Sequence, residues 1–251
     1  MSAPHSILAW HWLAADRRLG YGDGRLVEPG QTLSVEGEPE LCYHGLHASR
    51  SILDALGYAP GPIVCRVRVS GRIVEGDDKL VGTARRCLWM VDATTILRKW
   101  AIWCAERALD RVAARANLVE SDLRALSASR DALDCARRYL AGEVTEATLS
   151  SVWSAAWDAA KGVAWDAAWS ATRDAAKGVA WSAAWGAAWS VAWSVAGNAA
   201  WNVAGDAAWN VAGDAAGDAA GDAAKGAERM AQSRELARLV MAEHKRQGAR
   251  A

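Results

Sequence analysis

The chain has 251 residues, 52% of them hydrophobic, with 29 basic and 29 acidic side chains. This length suffices for one large or two small domains, and the balanced charge argues against a nucleic-acid binder that relies on bulk electrostatics. Tryptophan occurs 15 times and phenylalanine is absent, so tryptophan is the main aromatic filler.

The first ninety residues predict a small α+β domain with a mixed sheet. Ile7 to Leu13 and Gln31 to Val35 are predicted strands, separated by the turn-rich segment Gly20 to Gly24. Leu41 to His44 is predicted as another short strand. Ser49 or Ser51 is then expected to cap a short helix that ends at Gly57.

A clear strand follows at Ile63 to Val69, where apolar residues alternate with Arg66 and Arg68. This alternation places the apolar residues on one face and the two arginines on the other. Arg72 to Val74 and Arg86 to Val91 are predicted as two further strands.

Three residues around the third predicted strand, Cys42, His44 and His47, have side chains that can bind zinc. A structural zinc site needs four ligands, and no second pair with comparable spacing follows, so no metal site is predicted. His47 is expected either to tie its loop by hydrogen bonds or, with Ser49 and Arg66, to line a ligand pocket. Asp78-Lys79 is expected to form a surface turn.

The run Leu41-Cys-Tyr-His-Gly-Leu-His-Ala48 resembles the Leu-Cys-x-x-Gly-x-His-Ala motif of a family of uncharacterised phage and prophage proteins. In that family the motif lies in an N-terminal α+β module, and many members continue with a helical segment and an Ala-rich short-repeat tail. The resemblance implies the same organisation here and brings no biochemical activity.

The module is also similar, more weakly, to the ADP-ribosyltransferase fold. The chain lacks that family's ordered His, Tyr and Glu set, and Glu75 is the only late candidate base. This likeness therefore implies at most a degenerate nucleotide or peptide pocket near His47, Ser49 and Arg66.

Two helices are predicted next, from Thr94 or Thr95 to about Asn117 and from about Ser121 to Gly142. Trp100 to Arg107, the following arginines and the Ala-rich continuation are similar to helical immunity proteins of bacterial toxin systems. A further helix is expected to begin near Thr145, and Arg234 to Met241 predicts an amphipathic closing helix.

From Trp153 to Glu228 the chain repeats every four residues, with Trp or Gly most often in the first position and Ala almost always in the fourth. We call this segment the repeat. Its composition favours α-helix. Four residues turn a helix by about 400°, so the tryptophan row drifts by about 40° per unit and no single face can bury it.

The repeat is therefore expected to supercoil, to break into antiparallel helices, or to pair with another chain. Ten of the tryptophans lie in it. Exposed aromatic patches mark interfaces, so Trp181, Trp185, Trp189 and Trp193 are predicted to bind a protein partner.

Membrane insertion and secretion are not expected. Gly178 to Gly205 carries no charge, but it contains serine and asparagine and no Leu or Ile, and the first sixteen residues do not form a signal peptide. Five widely spaced cysteines indicate reduced thiols and a cytoplasmic location.

The sequence thus predicts an α+β module over residues 1–93, a two-helix linker domain over 94–142 and a helical repeat region over 143–251. The expected function is protein interaction or self-assembly, with no catalytic residue and no cofactor. The alternative is an ADP-ribosyltransferase-like nucleotide-handling domain, in degenerate form, fused to a helical immunity-like region.

Overall fold

The structure, a computed structural model, describes residues 6–114, 120–152 and 217–249. These residues fall into two compact units. The first contains residues 6–96 together with residues 233–249, and the second contains the remaining described residues.

The first unit is built on an antiparallel sheet, which confirms the predicted α+β class. Its five strands are β1 (Ile7–Leu13), β2 (Thr32–Ser34), β3 (Leu46–Ala48), β4 (Ile63–Glu75) and β5 (Leu80–Asp92). The strand order is β1-β4-β5-β2, and β3 pairs with β5 beside β2. Every pairing is antiparallel.

A reciprocal pair of backbone hydrogen bonds joins β1 to the residue that follows β3. Trp10 N donates to Ser49 O at 2.8 Å, and Ser49 N donates to Trp10 O at 2.9 Å. The strands β1, β4, β5 and β3 therefore follow one another in a closed circuit of hydrogen-bonded neighbours.

One face of the sheet forms the main hydrophobic core of this unit. The predicted alternation in β4 is confirmed, because Cys65, Val67 and Val69 are buried there while Arg68 is exposed. Strand β1 contributes Ile7, Ala9 and Leu13 to the same core, on the alternating positions expected for period-two side chains. The buried core residues are Ile7, Ala9, Leu13, Val27, Leu33, Leu46, Ala48, Ile63, Cys65, Val67, Val69, Leu80 and Cys87.

The predicted strand at Leu41 to His44 is wrong. Residues 41–43 form a turn, and the strand begins at Leu46 instead. Cys42 has a φ of 70° and Gly45 a φ of 117°, and neither value is compatible with an extended strand.

Strand β4 also differs from the prediction, because Ile63 to Val69 and Arg72 to Val74 form one strand rather than two. Gly71 has a φ of 81° and lies at a register shift against β5, so the strand bends there without ending. Asp78 and Lys79 lie in the hairpin loop that leads to β5, as predicted.

A short helix, α1 (Ile52–Leu56), follows β3 and contributes four buried apolar residues. Its N-cap is Ser51, whose hydroxyl accepts from the amides of Leu53 and Asp54. The indole of Trp12 donates to the carbonyl of Ile52 at 3.4 Å, which holds α1 against β1.

The second unit is helical. Helix α2 spans Thr94–Ala113, α3 spans Glu120–Leu140, and α4 spans Gly217–Gly248. Residues 217–232 of α4 belong to this unit, whereas residues 233–248 belong to the first unit. Ile102, Leu109, Leu126 and Leu133 are among the buried residues that join α2 to α3. Residues 146–152 are also helical, and the Thr145 hydroxyl accepts from the amide of Thr148.

Residues 217–228 of the repeat lie in α4 and are α-helical, which confirms the predicted conformation for that part. The predicted partner-binding residues Trp181, Trp185, Trp189 and Trp193 lie outside the described residues.

Candidate functional site

The side chain of His47 ties the turn before β3 to the strand itself. Its Nε2 atom accepts the backbone N–H of Cys42 at 3.0 Å. The Nε2 atom of His44 lies 2.6 Å from the Glu36 carbonyl instead. The two imidazoles are thus engaged with different parts of the chain, and His47 has the loop-tying role that the sequence indicates.

Residues of the β4–β5 loop complete a small polar cluster on this turn. The Lys79 ammonium hydrogen-bonds the Cys42 thiol, which raises the pKa of Lys79, and lies 4.6 Å from the ring centre of Tyr58. The Tyr58 hydroxyl donates to Asp78 at 2.5 Å, and this bond raises the pKa of Tyr58. Each of these side chains has a partner within the cluster. The contacts hold the β4–β5 loop against the turn before β3, and this structural role accounts for them.

The strongest candidate for a functional surface is a row of side chains on the sheet face opposite the main core. Ser49, Trp10, Arg66 and Trp89 are successive cross-strand neighbours. Directly opposite residues of antiparallel strands project from the same face. We call Trp10, Arg66 and Trp89 the aromatic row.

Within the aromatic row, the Trp10 side chain contacts both of the others closely. The guanidinium carbon of Arg66 lies 4.5 Å from the ring centre of Trp10. The rings of Trp10 and Trp89 meet edge to face, with centres 5.8 Å apart and planes at 81°. Such cation–π and edge-to-face contacts are attractive and fix ring orientation.

Arg66 has no carboxylate within ion-pair distance among the described residues. Its side chain is partly buried, and this burial lowers its pKa from the usual arginine value. A guanidinium remains charged under these conditions, so Arg66 presents a partly buried positive charge that no carboxylate of the described residues pairs with.

The C-terminal helix contributes a fourth ring. His244 of α4 stacks on Trp89 with ring centres 4.2 Å apart and planes at 9°. Val240 and Leu236 lie about one and two helical turns earlier and are fully buried. At the start of this stretch the Ser233 hydroxyl hydrogen-bonds that of Ser51 at 3.1 Å. These contacts make residues 233–248 part of the first unit.

The interior of the first unit holds a second polar group, centred on Arg85 of β5. Arg85 is 4% exposed, its Nη1 atom donates to the carbonyl of His47, and its buried Nη2 atom has no hydrogen-bond partner among the described residues. Burial lowers its pKa to about 10. Hydrogen bonding to Cys87 and burial raise the pKa of Cys65. Since the Nη2 atom has no exposed surface, this group is part of the core rather than a binding surface.

The predicted ligand-binding residues His47, Ser49 and Arg66 thus lie near one another but do not line one pocket together. Ser49 and Arg66 flank Trp10 in the same row, whereas the His47 ring is held by the Cys42 amide. Trp10, Trp89 and His244 were not predicted from the sequence as site residues. Trp10 could have been found, because its position in β1 alternates with the core residues Ala9 and Leu13.

A sequence profile of the family described as "Domain of unknown function (DUF7666)" matches residues 22–99. The match covers β2 to β5 and the start of α2, and omits β1 and α4. No curated protein and no solved structure shows significant similarity to the chain.

No group of three or more metal-ligating side chains is arranged to hold an ion in residues 6–114, 120–152 and 217–249. None of the helices described there contains a stretch long and apolar enough to cross a membrane.

Proposed function

We propose that the chain is a non-enzymatic protein that binds a protein partner or assembles with itself, and that it is encoded by a phage or prophage. The single observation that carries the proposal is the placement of ten tryptophans in the repeat, separated by four residues or by multiples of four. One straight helix cannot bury such a row, so the remaining indole surface needs a neighbouring helix. The phage or prophage origin rests on the resemblance of Leu41 to Ala48.

Tryptophans of the described helices already make this kind of contact, which supports the proposal. On α2, the Trp100 indole donates to the carbonyl of Gln232 in α4 at 3.0 Å. The Trp103 ring lies 4.9 Å from the Arg107 guanidinium, and Arg107 forms a two-point ion pair with Glu228. The Trp100 indole thus lies at a contact that joins α2 to α4, and Trp103 contacts the arginine that pairs with α4.

The described residues on the two sides of the repeat belong to the same unit. Val152 packs against the α2–α3 core, and Glu228 pairs with Arg107 of α2. The residue before the repeat and the last residue of the repeat therefore both contact the helical unit, which makes that unit a natural support for an interaction segment.

Light scattering on the full chain tests the proposal. We expect a mass above the 26.7 kDa of one chain, or a stable complex with a partner. Replacing Trp181, Trp185, Trp189 and Trp193 with alanine should lower the mass, because the indoles supply most of the apolar contact area. Replacing Ser182, Ser190, Ser194 and Asn198 with alanine is the matched control. A monomer whose tryptophans are shielded from quenchers would contradict self-assembly.

The alternative is a nucleotide-handling domain of transferase type. It is favoured by Arg66, whose charge has no carboxylate partner among the described residues, and weakened by His47, whose Nε2 atom is already engaged. Calorimetry with a nicotinamide dinucleotide should show heat that His47→Ala reduces. Absence of heat, or an unchanged signal in the variant, rejects this function.

A cytoplasmic location is part of the proposal. All five cysteines lie in the described residues, and no disulfide joins any of them. Reduced thiols are typical of proteins in the cytoplasm. Fractionation of cells that express the full chain provides the measurement.

A further inference from the structure

The aromatic row carries an inference that is independent of the repeat. Trp89, Arg66 and His244 are each partly exposed, so solvent reaches all three. Trp10 is 7% exposed and contacts Trp89 and Arg66 from the buried side. The row thus has a fixed aromatic base and an accessible outer edge.

His244 covers Trp89 in the way that a bound planar molecule would. The rings are nearly parallel, at 9°, and their centres are 4.2 Å apart. Most pairs of protein rings prefer offset or edge-to-face arrangements, as Trp10 and Trp89 do. A flat indole that accepts a parallel heteroaromatic ring from a helix can accept one from a ligand by the same contact.

Arg66 supplies the charge that such a ligand would need. It is the direct cross-strand neighbour of Trp89, so its side chain starts about 5 Å away. The Trp10 ring at 4.5 Å holds the guanidinium in place, and no carboxylate of the described residues neutralises it. An anion at this position would offset the cost of burying the charge.

We propose that Trp89 and Arg66 form a binding site for a small planar aromatic anion, and that His244 of the C-terminal helix occupies the ring position of this site as an intramolecular competitor. The ligand ring stacks on Trp89, and its carboxylate or phosphate binds Arg66. Ligand entry requires only that His244 turn away from Trp89, since Leu236 and Val240 hold the earlier turns of the helix.

Calorimetry on the full chain tests the site with two anionic probes, AMP and indole-3-acetate, and their uncharged counterparts adenosine and indole-3-acetamide. His244→Ala should bind at least one anionic probe about tenfold more tightly than the unchanged chain, because it removes the competing ring. Binding of AMP alone would identify a nucleotide site, and binding of indole-3-acetate alone an aromatic carboxylate site.

Three further variants separate the proposal from a purely structural contact. Arg66→Gln and Trp89→Leu, each combined with His244→Ala, should abolish the added binding, and Lys245→Ala on the exposed side of the same turn should leave it as in the unchanged chain. Should His244→Ala fail to fold, Arg66→Gln alone should still weaken binding relative to the unchanged chain.

The proposal is overturned if neither anionic probe binds His244→Ala, or if the uncharged probes bind it equally well. Because assembly is measured separately as mass, failure of this site leaves the proposal for the repeat untouched, and failure of assembly leaves this site untouched.

Discussion

At the scale of single residues, His11 makes stability depend on pH. Burial lowers its pKa well below 6.5, and the charges of Arg85 and His47 lower it further. The folded protein therefore holds His11 neutral, whereas the unfolded chain binds a proton at pH values below about 6.5. Protonation consequently favours the unfolded state as the pH falls.

We expect the free energy of unfolding to decrease below pH 6.5 by up to about 1.4 kcal/mol per pH unit from this group. Urea unfolding between pH 7 and pH 5 measures the slope. His11→Gln should reduce it, leaving the part due to His47, whose pKa burial also lowers. An equal slope in the variant would contradict this assignment.

Gly45 explains why the motif at Leu41 to Ala48 contains a glycine at its fifth position. Its φ is 117°, and a Cβ atom there would lie 2.5 Å from a methyl group of Val81. Gly45→Ala should thus cost about 1–3 kcal/mol of unfolding free energy in urea denaturation.

Gly20→Ala is the matched control for this experiment. A Cβ atom at Gly20 meets no atom within 4 Å. The change should stay within about 0.5 kcal/mol of the unchanged chain. Equal effects of the two substitutions would show that the turn does not need glycine.

At the scale of elements, the sequence predicted strands best where alternation was long. Strand β1 has the predicted bounds, and the two faces of Ile63 to Val69 are as predicted. The short segment Leu41 to His44 contains residues common in strands, but the positive φ of Cys42 and Gly45 turns the chain there. Backbone dihedrals of this kind are set by contacts and not by periodicity.

Strand β5 shows a second limit of sequence reasoning. It begins at Leu80, six residues before the predicted start, although Gly82 and Ala84 have low strand propensity. Pairing with β4 on one edge and with β2 and β3 on the other supplies the hydrogen bonds that fix this segment. Tertiary pairing outweighs local preference at these positions.

Helix α4 is the element whose role was least predictable, since an amphipathic stripe does not reveal its partner. Leu236 is fully buried in the first unit. Leu236→Ala should cost about 2–5 kcal/mol, because it leaves a cavity. Thermal or urea unfolding, followed by circular dichroism, measures this cost.

Met241, five residues after Leu236, is 37% exposed and serves as the control. Met241→Ala should change stability by about 0.5 kcal/mol or less. If Leu236→Ala had no larger effect, α4 would not be an integral part of the first unit.

At the scale of the whole molecule, assembly would make the melting temperature depend on protein concentration. Association stabilises the folded state by mass action, so Tm should rise with concentration. Alanine at Trp181, Trp185, Trp189 and Trp193 should remove this dependence, measured by differential scanning calorimetry over a hundredfold concentration range. A concentration-independent Tm in the unchanged chain would argue for a monomer.

Only part of the candidate site could be predicted from the sequence, because its residues come from distant parts of the chain. Ser49 and Arg66 were predicted, and both belong to the row that contains Trp10. His244 lies 178 positions after Arg66 in the sequence, and no local pattern indicates that it meets Trp89. Long-range contacts of this kind depend on how the two ends of the chain fold together.

The backbone pair between Trp10 and Ser49 has a consequence for association. Strands with unpaired edges can be extended by a strand from another copy, which leads to aggregation. At the midpoint of β1, β4 occupies one edge and Ser49 the other, so an incoming strand would have to displace Ser49. Copies of this unit would therefore not join their sheets through the middle of β1.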